Sequence, residues 1–160
     1  MISDVLDMSK IESGQVDIYN DNVDLNKFIA DIDILIGTQA SERNLIFNID
    51  VDNVIEPYII GDEVRLKQIV DNLLGNALKF TPANGTISLK IEQFEEGNIL
   101  NTTFVISDTG CGMTPEFLEK IWNPFEQERR FNSQNGTGLG TTLSKVFVEK
   151  MGGTIDVKSK

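Results

Sequence analysis

The stretch "DEVRLKQIVDNLLGNALKF", residues 62 to 80, constrains the fold more than any other. Leu66, Ile69, Val70, Leu73, Leu74 and Ala77 recur at helical spacing. Arg65, Gln68, Asn72, Asn76 and Lys79, spaced three, four, four and three apart, form a separate polar stripe. A helix of this kind must lay its apolar face on a second layer. The chain supplies one at once. Pro82 and Asn84-Gly85 signal a turn, "TISLKIEQF" alternates, "EEGN" turns and "ILNTTFVISD" alternates back, which predicts an antiparallel hairpin.

The remaining segments agree with that frame. Ile2, Val5, Leu6, Met8 and Ile11 leave one apolar stripe, so residues 1 to 13 read as the end of a helix closed by Gly14. Asp24 is an N-cap candidate for a helix carrying Leu25, Phe28, Ile29, Ile32, Leu35 and Ile36. "LIFNIDVD" and "PYIIGD" read as strands, and "PEFLEKIW" as a short helix with proline at its first position. Residues 123 to 137 are polar and aperiodic and read as a mobile loop. "LGTTLSKVFVEKM" reads as a helix ended by Gly152-Gly153, and "TIDVKSK" as the start of a strand. The expected fold is α+β, a two-layer sandwich whose mixed sheet carries helices on one face, and at 160 residues one domain is the default.

Composition narrows the chemistry. With no histidine, a Ser-His-Asp triad and imidazole metal ligation are excluded. Asp and Glu number 25 against 14 Lys and Arg, a net charge of -11, which argues against nucleic-acid and anionic-membrane surfaces. A phosphate ligand would be held locally, by backbone N–H groups, a metal ion or a few placed cations. No stretch reaches the roughly 20 apolar residues of a membrane span, and the N-terminus does not read as a signal peptide. The expectation is a soluble, cytoplasmic chain with no membrane contact. Cys111 is the single cysteine and can form no internal disulfide.

Three motifs carry candidate chemistry. On the polar stripe, Asn72 and Asn76 stand one turn apart although asparagine is a mediocre helix former. An amide oxygen can ligate Mg²⁺, which completes its shell with water and substrate phosphates, and Lys79 could meet a phosphate as a point charge. Read alone, the stripe is equally a solvated helix face. "SDTGCGM" places Asp108 at a strand end before Gly110 and Gly112, suiting an exocyclic amine such as that of adenine and a ring close to the backbone. Ordinary turns share this pattern. "NGTGLGTTLS" lacks the Lys-Ser or Lys-Thr of a P-loop, because Thr141-Thr142 follows the last glycine, and lacks the strand before a Rossmann turn. It remains a run of N–H groups entering a helix N-terminus, which flexible glycine loops also mimic.

Taken together, "DNLLGNALKFT", "DTGCGM", "NPFEQ" and "GTGLGTTLS" follow one another in an order that strongly resembles the catalytic, ATP-binding domain of two-component sensor histidine kinases. The resemblance covers roughly residues 1 to 158 and implies the Bergerat fold shared with gyrase, the ninety-kilodalton heat-shock chaperone and the mismatch-repair ATPases. It implies ATP and Mg²⁺ as cofactors. By it, Asn76 coordinates Mg²⁺, Asn72 supports the metal and phosphate site, and Lys79 contacts phosphate. Asp108 accepts the adenine amino group, with Gly110 and Gly112 shaping the base pocket. Phe125 anchors a mobile lid of residues 123 to 137, and Gly136, Thr137, Gly138, Leu139 and Gly140 form its hinge and the phosphate-contacting turn. Residues 1 to 14 resemble the end of a dimerisation and phosphotransfer helix, and 15 to 160 the catalytic domain without its last strand, which would leave a sheet edge unpaired.

The same resemblance implies partners: a histidine-bearing dimerisation segment of the parent protein, which would be a homodimer, and a response-regulator receiver domain. In hydrolytic relatives a glutamate four positions before the metal-binding asparagine activates water. Asn72 stands there and cannot act as a general base, so little hydrolysis is expected. Thr141 occupies a position where a larger apolar residue is common, and the lid, with Arg129 and Arg130, is somewhat short. Two other readings remain at this level: a non-catalytic nucleotide-binding or interaction module, and a serine kinase of the anti-sigma type.

Overall fold

A computed structural model describes residues 2–128 and 136–160 of the protein. The chain divides into two units, one of Met1–Asn20, Gly61–Leu73 and Gly112–Lys160, the other of Asp21–Ile60 and Leu74–Cys111.

The second unit holds the sheets. β1 (Asp21–Asp24) pairs with β3 (Tyr58–Gly61), and β2 (Ile46–Asp52), β4 (Thr86–Glu96) and β5 (Ile99–Asp108) form a mixed sheet in the order β2-β4-β5. β2 runs parallel to β4, Ile46 opposite Thr86, and the predicted hairpin brings β5 back antiparallel, Ile87 opposite Asp108. The alternation read in "TISLKIEQF" has its physical outcome in β4. Ile87, Leu89, Ile91 and Gln93 are buried, while Thr86, Ser88, Lys90 and Glu92 are half-buried. α2 (Leu25–Glu42) packs on β2 and buries Leu25, Phe28, Ile32, Ile36 and Ala40, with Phe28 edge-on to Phe104 at 6.1 Å. Leu35 of the predicted apolar set stays 42% exposed. Asp24 caps α2 as its sequence position predicts, accepting from Lys27 N at 3.2 Å.

One polar side chain belongs to this core. Gln93 accepts from Ile55 N (2.7 Å) and Glu56 N (2.8 Å) and donates to Glu56 O (2.9 Å) and Thr102 Oγ1 (3.2 Å). Four bonds occupy both ends of its amide, which is what allows a buried glutamine among aliphatic neighbours.

The first unit is helical. It contains α1 (Ile2–Glu12), the start of α3 (Glu63–Phe80), α4 (Pro115–Leu118) and α5 (Gly140–Lys150). Its core is Val16, Ile69, Leu139, Leu143 and Phe147, with Met8, Ile11, Leu73, Val148 and Met151 packed against it. The apolar stripe read on α1 therefore divides: Met8 and Ile11 pack inward, while Ile2, Val5 and Leu6 are 79%, 55% and 57% exposed. Thr114 caps α4 and Pro115 occupies its first turn as expected.

The strand predicted in "TIDVKSK" does not form, since residues 154–160 are paired in neither sheet. A strand persists only where a ladder takes up its N–H and C=O groups. Here the end of the segment lies instead against Gly112 and Met113, and the Ser159 hydroxyl accepts from Met113 N at 2.8 Å.

Candidate functional site

The polar stripe of α3 begins in a bonded cluster rather than in solvent. Asp62, 5% exposed, caps the helix by accepting from Arg65 N (3.1 Å) and also accepts from Tyr19 N (3.0 Å). Arg65 Nη1 donates to Asp7 Oδ1 at 3.0 Å and to Gln68 Oε1 at 2.9 Å, and Gln68 Nε2 donates to Asp7 Oδ2 at 2.9 Å. The guanidinium carbon lies 4.5 Å from the Phe147 ring centroid. The alternative of a solvated helix face is thus wrong for Arg65 and Gln68. Their charge and amide are satisfied by α1, through an aspartate that sequence reasoning overlooked because nothing in "LDMSK" marks Asp7 as buried.

Asn72 comes next, half-buried, and its Nδ2 donates to Gly140 O at 3.4 Å. The same carbonyl accepts from Ser144 Oγ at 2.8 Å. A methyl at Gly140 would lie 3.5 Å from the Asn72 amide carbon, an ordinary contact distance, so the approach of this amide does not itself require glycine. Two residues far apart in sequence, both assigned to one site by resemblance, are in contact.

Beside Asn72, Asp71 carries a buried Oδ1 with no hydrogen-bond partner among the described residues. Burial raises its carboxyl above the ordinary range, against the pull of Lys67. A carboxyl raised in the folded state holds its proton more tightly there. It favours the fold on the acid side, and this contribution is lost as the pH rises through the folded value. Asp71→Leu is therefore expected to stabilise the chain at neutral pH by about 1 kcal/mol, the low end of the cost of an unsatisfied buried polar atom, and to stabilise it less near pH 4. Thermal melts at the two pH values check this; a destabilised variant at neutral pH contradicts it.

The glycine-rich turn is held at its base through two of its carbonyls. Phe125 N donates to Gly138 O at 2.9 Å, and Gln127 Nε2 donates to Gly136 O at 2.6 Å. Gly138 has φ +69°, and a Cβ there would sit 2.7 Å from Phe125 C. Phe125 itself has φ +64° and a side chain 68% exposed, so its tie to the turn is made by the main chain. Thr137 Oγ1 accepts from Leu139 N (3.2 Å) and donates to Asp4 Oδ2 (3.3 Å). Leu139 is fully buried in the core, and its carbonyl accepts from Leu143 N at 2.9 Å. Residues 129–135 of the predicted lid, with Arg129 and Arg130, lie outside the described residues.

In the second unit Asn76 and Lys79 are exposed, and the Lys79 ammonium lies 5.0 Å from the Phe80 ring. Asp108, at the end of β5 and exposed, accepts from Gly110 N at 2.8 Å through Oδ1. Thr109 ties this turn to the sheet: its N donates to Thr86 O (3.0 Å) and its Oγ1 accepts from Thr86 N (2.9 Å). A Cβ at Gly110 would lie 2.6 Å from Asp108 Oδ1 and 2.7 Å from Phe80 O. Glycine is thus required here for close packing. Cys111 is exposed. In the first unit Gly112 has φ +67°, and a Cβ on it would lie 2.6 Å from Lys160 O.

A carboxylate fixed at a strand end, an asparagine-bearing helix and a glycine turn leading into α5 are the features that the sequence resemblance assigns to an ATP-binding α+β domain. The match to known proteins agrees: residues 61–160 fit the family described as histidine kinase-, DNA gyrase B- and HSP90-like ATPase, and the chain belongs to it. The aerobic respiration control sensor protein ArcB of Escherichia coli strain K12 is 33% identical over 163 residues, which cover 100% of this chain and 20% of ArcB. Full-length ShkA, solved in complex with AMPPNP, aligns with a TM-score of 0.79 and 28% identity over 94% of this chain and 30% of its own. The catalytic domain of the histidine kinase ThkA aligns with a TM-score of 0.68 and 26% identity, over 85% of this chain and 82% of its own. The chain is an ATP-binding catalytic domain of the histidine-kinase type, and it spans about a fifth of the length of the curated relatives it matches.

Proposed function

We propose that this chain binds Mg-ATP and presents the γ-phosphoryl group to a histidine on another segment of a two-component sensor kinase. The observation that carries the reading is the Asp108 turn, where an exposed carboxylate is pinned by Gly110 N beside backbone that only glycine permits. Asp108 is assigned the adenine amino group, with Gly110 and Gly112 against the base. Asn76 would give its amide oxygen to Mg²⁺, Asn72 would support that site, and Lys79 would meet phosphate.

Among the described residues no group of three or more acidic or thiol side chains converges on a cation site. A Mg²⁺ held by one amide oxygen, water and phosphate oxygens fits this donor set. When bound, the ion would neutralise charge on the phosphates. The turn from Gly136 to Gly140, with Thr137 and Leu139 within it, would meet the phosphates at the start of α5. Phe125 would anchor the lid through its bond to Gly138.

In the transfer the bond from the γ-phosphorus to the β-γ bridging oxygen breaks, a bond to an imidazole nitrogen forms, and ADP leaves. The phosphoryl group would then pass to an aspartate of a response-regulator receiver domain. Residues 1–14 are assigned to the end of the second helix of the dimerisation and phosphotransfer segment, a segment that would carry the histidine upstream, and 15–160 to the catalytic domain. The parent would be a homodimer with this part in the cytoplasm, where ATP is available. Asn72 offers no carboxylate to activate water, so transfer is favoured over hydrolysis.

The test is incubation of the chain with a histidine-bearing acceptor fragment and γ-labelled ATP. Acid-labile label on the acceptor is the expected result. Acid-stable phosphoserine would overturn it in favour of a serine kinase, and nucleotide binding without transfer in favour of a non-catalytic module. ATP turnover by the chain alone at the rate of a dedicated ATPase would contradict the role given to Asn72.

A further inference from the structure

Thr141 and Thr142, which follow the glycine turn, have no role in the nucleotide chemistry assigned above, yet both hydroxyls are spent on one task. Thr141 Oγ1 donates to Ile121 O at 2.7 Å, and Thr142 Oγ1 donates to Trp122 O at 3.0 Å. Thr142 is 7% exposed and Ile121 5%. The two acceptor carbonyls follow α4 and lead directly into Phe125, whose N–H is bonded to Gly138 O. Lys145, one turn along α5, lies over the Trp122 ring at 5.4 Å. On the other side of the same helix end, Gly140 O takes both Ser144 Oγ and Asn72 Nδ2. The first turn of α5 therefore joins three things: residues 121–125, the glycine turn, and Asn72.

We propose that Thr141 and Thr142 are positioning residues for the triphosphate: their hydroxyls brace the Ile121–Trp122 carbonyls against α5, and so hold Phe125 and the Gly136–Gly140 turn in register. The positive φ at both Phe125 and Gly138 is the reason a brace is needed. Phe125 occupies a conformation that L residues avoid, and such a conformation persists only where its surroundings over-determine it. An apolar residue at position 141 could not donate to Ile121 O. The proposal rests on the reading that the glycine turn receives the phosphates of ATP.

The experiment compares the chain with the double variants Thr141→Val/Thr142→Val and Thr141→Ser/Thr142→Ser. Valine keeps the shape and removes the donor, whereas serine keeps the donor. The valine pair is expected to bind AMPPNP on the order of tenfold more weakly, as fits the loss of two ordinary hydrogen bonds, with AMP affinity changed less than twofold. The serine pair restores AMPPNP binding. Equal weakening for AMP and AMPPNP, or no weakening, overturns the proposal.

A second measurement needs no nucleotide. Hydrogen exchange at the Phe125 amide is expected to quicken on the order of tenfold in the valine pair and to return in the serine pair. Unchanged exchange removes the brace whatever the chain binds. Failure of the unmodified chain to bind any nucleotide, with exchange responding as expected, overturns the assignment of the phosphates and not the brace.

Discussion

Alanine at Gly110 is expected to weaken ATP binding about 100-fold, the upper range for a lost hydrogen bond to a carboxylate. The added methyl would lie 2.6 Å from Asp108 Oδ1 and 2.7 Å from Phe80 O. One of these neighbours is main chain at the end of a helix and cannot swing away. The Asp108 carboxylate must then leave the Gly110 N–H that holds it at 2.8 Å, and with it the position assigned to the adenine amino group. Gly75→Ala is the control, since nothing lies within 4 Å of the place its methyl would take and alanine favours an exposed helix by up to about 1 kcal/mol. Equilibrium titration with ATP distinguishes the two. Binding by Gly110→Ala within threefold of the unmodified chain would remove Asp108 from the site.

The second large effect concerns stability. Asp7 and Arg65 have side chains only 8% and 18% exposed and meet at 3.0 Å, with Gln68 completing the carboxylate's partners. Removing one partner of such a pair leaves the other charge buried and uncompensated, which costs about 3–5 kcal/mol in well-buried cases. Arg65 keeps some solvent, so Asp7→Ala is expected to cost about 3 kcal/mol, the low end of that range. The double variant Asp7→Ala/Arg65→Leu should recover much of the loss, because it removes both charges and keeps apolar bulk against Phe147. Urea denaturation of the two variants and the parent chain checks this. A single variant within about 0.5 kcal/mol of the parent would class the pair with surface ion pairs of little worth.

Much of the fold was legible because it rests on local periodicity. The period of two in "TISLKIEQF" marked β4 and its buried face, and the capping preference of Asp24 marked the start of α2. The helix over residues 62 to 80 differs from α3 only in that Asp62 lies outside as its cap. "TIDVKSK" was misread because alternation expresses strand propensity, whereas a strand also needs a ladder to take up its backbone groups, and whether the segment meets one is a long-range property.

The candidate site divides along the same line. The sequence by itself determined the chemical types and their order: an amide-bearing helix, a carboxylate before spaced glycines, and a glycine turn before a helix. These are local statements, and their joint order carries the resemblance to the kinase family. Only the tertiary structure decided which members of the polar stripe remain exposed. Arg65 and Gln68 are consumed by Asp7, Asn72 meets Gly140, and Asn76 and Lys79 remain at the surface. It also decided that Thr141 and Thr142 bond carbonyls 20 residues earlier in the chain. The reason is physical. A hydrogen bond between side chains or carbonyls distant in sequence depends on how elements pack, and no periodicity within one element encodes the partner it will find.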